Sequence, residues 1–158
     1  MSKRRVLLLA ALLGGAAWYW FRPERALFDV TINEPLSGTG PPPVLLARGR
    51  FHPVAHEGSG TATVFRMGDG RRLLRLSDFR TSNGPDVHVY LVAAPDATDD
   101  ETVERAGFVP LGPLKGNVGN QHYELPASAD LTRYRAVTIW CRRFGVNFTT
   151  APLVVETK

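Results

Sequence analysis

From about Leu45 onward the chain runs in short apolar stretches cut by turn residues. Candidate strands cover Leu45–Phe51, Gly60–Arg66, Arg72–Leu76, Val87–Val92, Phe108–Leu111, Gln121–Leu125, Ala136–Cys141, Val146–Thr149 and Leu153–Glu156. The separators are rich in Gly, Asn, Asp and Pro: Met67–Gly70, Ser82–Asp86 and Gly116–Asn120. Short strands spaced by such turns predict an all-β fold, an antiparallel β-sandwich or barrel-like domain. No stretch of this region carries a long apolar stripe of helical period. Asp99–Arg105 fits one exposed helical turn.

Alternation assigns faces, because neighbouring strand residues point to opposite sides. Val87, Val89 and Leu91 share one face, His88 and Tyr90 the other. Val137, Ile139 and Cys141 share a face, opposite Thr138 and Trp140; Phe144, Val146 and Phe148 extend an apolar face beyond Arg142 and Arg143.

The N-terminus follows a different pattern. Lys3-Arg4-Arg5 precedes an uncharged, mostly apolar run, Val6–Phe21, closed by Arg22-Pro23-Glu24-Arg25. As one helix preceding the β domain, this run reaches about 24 Å, short of a hydrocarbon core of about 30 Å. Two readings fit. One is an uncleaved signal anchor with Trp18, Tyr19 and Trp20 at the interface. The other is a signal peptide with Val6–Leu13 as apolar core and Gly15 and Ala17 near the cleavage point. Both put the domain on the extracytoplasmic side: tethered to the cell membrane as a single-pass protein through residues 6–21, or secreted or periplasmic after cleavage. The resulting division is 1–21 anchor or signal peptide, 22–43 tether and 44–158 β domain. Within the tether, Phe28–Ile32 fits a short strand, and Pro35–Pro43 favours extended backbone.

Charge supports this division. The net charge of +4 comes from the leader; beyond residue 25 the chain holds 14 basic and 14 acidic residues. A neutral domain has no basic stripe with which to bind phosphates, so no nucleic-acid partner is expected.

Cys141 is the single cysteine and cannot form an internal disulfide. It is either an inert thiol packed with Val137 and Ile139 or a reactive one, which needs thiolate character. Arg143 would share its side if the strand ran that far. His52 and His56 have metal-like spacing, but Pro53 and nearby glycines deny them a helix, so no metal site is expected. Met67, Cys141 and the histidines include haem-ligand types, yet no spacing selects them. Asp69, Asp78 and Asp86 offer paired carboxylates for hydrolysis, but loop carboxylates near Gly and Asn are usually turn formers. Gly58-Ser-Gly60 lacks a nucleophile-elbow frame, and Gly116–Asn120 is not followed by the lysine and helix of a phosphate loop. A stand-alone enzyme is not expected.

Five segments resemble one family: Arg72–Phe79, Asn83–Leu91, Leu111–Asn117, Gly119–Pro126 and Val137–Val146. Together they are similar, in order from about Gly49 to Leu153, to the electron-transfer DM-thirteen domain. The resemblance implies a β-sandwich-like extracytoplasmic domain with a redox role. In that family the cysteine of an Ile-Trp-Cys motif is suggested to act as a bare thiol or a haem ligand; here this maps onto Cys141, preceded by Trp140. The family's Asn-Gly-Pro-Asp motif falls on Asn83, Gly84, Pro85 and Asp86. Its physical reading is a tight turn delivering Val87–Val92, with Asp86 capping local backbone groups. Gly116 and Asn117 complete the motif set. Two functions follow as expectations. One is a membrane-tethered redox module acting through Cys141 with an unidentified envelope or redox partner. The alternative is a non-catalytic envelope binding or structural module in which Cys141 is core.

Overall fold

A computed structural model describes residues 3–21, 28–36 and 40–156. Parts of the expected tether (22–27 and 37–39) lie outside the described residues. Helix α1 spans Lys3–Phe21. Eleven strands follow: β1 Thr31–Asn33, β2 Val44–Arg50, β3 His52–Pro53, β4 Gly58–Arg66, β5 Arg72–Thr81, β6 Val87–Val92, β7 Phe108–Pro113, β8 Val118–Leu125, β9 Ala136–Cys141, β10 Val146–Pro152 and β11 Val154–Val155. Helix α2, Asp100–Ala106, stands between β6 and β7.

The strands make two sheets, ordered β1-β8-β5-β4-β2-β11 and β3-β10-β9-β6-β7. One core cluster draws Ala47, Ala62, Val64, Leu74, Leu76 and Phe79 from the first sheet and Val89, Leu91, Val137, Ile139, Cys141 and Phe148 from the second. The alternation assigned to β6 and β9 holds: Val89, Leu91, Val137, Ile139 and Cys141 all face this shared core. The first sheet departs from a purely antiparallel plan, because β1 runs parallel to β8.

The second sheet is buried on both faces. Its outer side carries a smaller cluster of Tyr90, Val92, Ala94, Ala97, Ala136 and Trp140, roofed by Val103 of α2. Hence every residue of β9 is buried, and its alternation marks two cores rather than core and solvent. Helix α2 is therefore more than an exposed turn: Asp99 caps it by accepting from Thr102 N at 2.6 Å, and Val103 has no exposed surface.

Two sequence expectations are corrected. Phe144 does not continue an apolar face; it lies in the turn after Cys141 and is two-thirds exposed. Strand β9 ends at Cys141, where Gly145 N closes the turn onto Cys141 O, so the strand alternation that would have put Arg143 on the cysteine's side stops there. At the N-terminus the helix forms where expected, but no helix among the described residues is long and apolar enough to cross a membrane. Lys3–Arg5 are built into α1, and Gly14, Gly15 and the Trp-Tyr-Trp end dilute its apolar stretch.

Candidate functional site

Two loops carrying the sequence motifs meet at an open cleft of about 450 Å3. One, Ser82–Asp86, joins β5 to β6; the other, Leu114–Asn117, joins β7 to β8. Asn83, Gly84, Pro85, Asp86, Gly116 and Asn117 all line it. Cys141 and Trp140 do not.

Each loop is held by specific chemistry. A Cβ on Gly84 would stand 2.6 Å from Val87 Cγ2 and 2.9 Å from Phe148 Cζ, so only glycine lets the turn pack onto the core. The Asp86 carboxylate reaches His88 Nε2 at 2.9 Å and Arg142 Nε at 3.8 Å. It therefore orients a side chain of the strand it introduces, where the sequence suggested a backbone cap. The second loop is shaped from below by Gln121, which has no exposed surface. Its Oε1 accepts from Lys115 N, Gly116 N and Tyr123 Oη, while its Nε2 donates to Gly116 O at 2.7 Å. Burial raises the pKa of the Tyr123 phenol, keeping that donor protonated.

Asn117 is the hub. Its backbone carbonyl accepts from Thr81 N, and its Nδ2 donates back to Thr81 O at 3.1 Å, imitating a strand pair. The same amide grips the chain's own segment 28–34: Oδ1 accepts from Val30 N at 2.8 Å, and Nδ2 donates to Asp29 Oδ1 at 2.7 Å. The grip continues along β8. Thr31, Ile32 and Asn33 register with Val118, Gly119 and Asn120; Glu34 N donates to Asn120 O, and Asn120 Nδ2 to Asn33 Oδ1. Asn83 Nδ2 donates to Phe28 O at 3.1 Å. At the far end Lys115 Nζ meets both Glu34 carboxylate oxygens at 2.7 and 2.9 Å, and His122 N donates to Oε2 at 2.9 Å. His122 Nδ1 stands 3.2 Å from the same oxygen without a hydrogen bond.

Two glycines make room for this strap. A Cβ on Gly116 would meet Val30 O at 2.4 Å, and one on Gly119 would meet Ile32 O at 2.2 Å. Gly119 also has φ +105°, which L side chains disfavour. Both carboxylates of the strap titrate below their ordinary range. For Asp29 the Asn117 amide contributes most, helped by Arg80; for Glu34 burial pushes the pKa up, but Lys115 and His122 together outweigh it.

Cys141 contrasts with all this. Its side chain has no exposed surface and belongs to the shared core. Its register partners are Val87 and Val146. Val87 also lines the cleft, so a cleft residue pairs with Cys141 across the sheet. The surroundings do not fit a haem, which needs a cavity with an approachable axial ligand: the sulfur sits in a packed core. Among the described residues no group of three or more His, Cys, Asp or Glu is arranged to hold a metal ion.

The family model described as electron transfer DM13 matches residues 50–153. The chain belongs to that family. The matched span of the DM13 domain includes Cys141, both cleft loops and all of β8, but not the strap. No curated protein and no solved structure matches the chain. Sequence reasoning found the two motif loops but missed their shared cleft and their partners Asp29, Glu34, Gln121 and Tyr123. One signal was available: paired glycines three residues apart beside asparagines mark backbone approached closely by something else.

Proposed function

We propose that this DM13 chain is a non-catalytic binding module of the extracytoplasmic side, with the motif-lined cleft as its working surface and Cys141 as a core residue. The observation that carries this reading is the burial of Cys141: a thiol with no exposed surface cannot meet a redox partner without opening the fold. The motif residues that do reach solvent converge on the cleft. Extracytoplasmic placement rests on the leader, where Lys3-Arg4-Arg5 opens α1 and the uncharged run Val6–Phe21 follows, in the order of an export signal. Native Cys141 should resist a maleimide reagent until denaturant is added, and Cys141→Ala should retain cellular function. Rapid labelling of the native protein, or lost function in a stably folded Cys141→Ala protein, would defeat the reading.

A second reading keeps the family's electron-transfer description and assigns redox chemistry to the Cys141 thiol. It is favoured by the position of Val87, which lines the cleft and is the register partner of Cys141. Under this reading Val87→Ala should speed native labelling of Cys141 at least tenfold. Under the first, the rate should follow global unfolding alone.

A further inference from the structure

The strap lies outside the span that matches the DM13 family, yet most of the groups that hold it lie inside that span. Little apolar surface holds it: Phe28 and Val30 remain exposed and Ile32 is its one half-buried apolar side chain, so its attachment is backbone pairing, carboxylate contacts and the side-chain amides of Asn83, Asn117 and Asn120. Without the strap, β8 is an open sheet edge, and open edges accept further strands. This edge has marked preferences. Gly116 and Gly119 admit a backbone closely. Asn117 and Asn83 read main-chain groups. Arg80 meets a carboxylate at one end, and Lys115 with the His122 amide meets one at the other.

We infer that the β8 edge is a receptor for an extended acidic segment of a partner protein, added parallel to β8 with carboxylates five residues apart, and that the strap is its built-in competitor. The cis strap mimics that ligand: Asp29 and Glu34 stand five residues apart and engage the two ends. The strap is covalently joined to the strands that follow it, and short intramolecular attachment gives an effective concentration of about millimolar. A partner segment must exceed that or bind better, so occupancy would report a high local concentration of the partner. This rests on the reading of the domain as a binding module.

The test uses the full-length chain carrying Asp29→Lys and Glu34→Lys, and a labelled synthetic peptide with the sequence of residues 28–35. The peptide should bind the double variant at least tenfold more tightly than the wild type, and Lys115→Glu in that background should weaken it at least tenfold. Absence of saturable binding to a variant that still unfolds cooperatively, or equal binding to variant and wild type, would overturn the inference. Should the variant not fold, amide exchange on the wild type decides. The Glu34 and Val118 amides should exchange at least a hundredfold faster than those of Leu74 and Leu76. Equal rates would make the strap an integral strand and end the proposal. A wild-type dimer dissolved by the peptide would assign the groove to a second copy and overturn the partner-protein source. A readily labelled Cys141 would remove the binding-module reading while leaving the peptide result intact. A peptide that fails to bind beside a sealed Cys141 removes this inference alone.

Discussion

Asn117 and Cys141 are both buried residues of the family pattern, and they do opposite things with burial. Asn117 is 4% exposed, and its amide grips Val30, Asp29 and Thr81 at once. Cys141 is fully buried among Val137, Ile139 and Phe148 in an apolar cluster. A buried amide is tolerated only when its hydrogen bonds are met, so Asn117 fixes the geometry of everything it touches. A buried thiol behaves as a small hydrophobe and fixes only volume. Membership of one sequence pattern therefore does not assign a residue to one task.

The largest expected effect separates these roles directly. Asn117→Leu leaves the buried Thr81 O without its side-chain partner and releases the exposed Val30 N, and should destabilise the fold by about 2 kcal/mol, since an orphaned buried group costs about 1–3 kcal/mol. Denaturant titration would check it, and a loss below about 1 kcal/mol would reduce Asn117 to packing. Cys141→Ala should cost about 1–2 kcal/mol, the range of a small cavity in a packed core. Its slope against denaturant should be unchanged, because no polar network is broken.

Acid should loosen the strap before it touches the cysteine core. Glu34 has a folded pKa below its unfolded value, so its contribution is present above the unfolded value, about 4.3, and is lost as pH falls through the folded one. The melting-temperature gap between wild type and Glu34→Gln should stay constant near neutrality and close below about pH 4. A gap that persists in acid would show that Lys115 and His122 hold the strap by shape rather than charge. Arg80→Ala should have the smallest effect, within about 0.5 kcal/mol, because its 3.3 Å contact with Asp29 is solvent-exposed at both ends.

Much of the second sheet was legible from alternation. Strands β6 and β9 fall where the pattern puts them, because a strand buried against a core repeats every two residues and Val-rich sequence does so plainly. Strand β5 runs five residues beyond the stretch its alternation predicts: Ser77 and Asp78 interrupt the pattern, and the register shifts between Leu76 and Phe79. The alternation that would put Arg143 on the side of Cys141 stops for a related reason. The strand ends at Cys141, and residues 142–145 form a turn to which alternation does not apply.

The sequence by itself determined the all-β class, the neutral domain behind a basic leader, the two motif loops and the apolar side of Cys141. These depend on local composition, period and turn chemistry, which neighbouring residues encode. Only the tertiary structure decided that Asn83 and Asn117 line one cleft, and that the segment before the domain returns as a parallel strand on β8. It also decided that a valine rather than solvent lies beside Cys141. Such facts join positions as distant as Val30 and Asn117, and no local pattern carries the register between them.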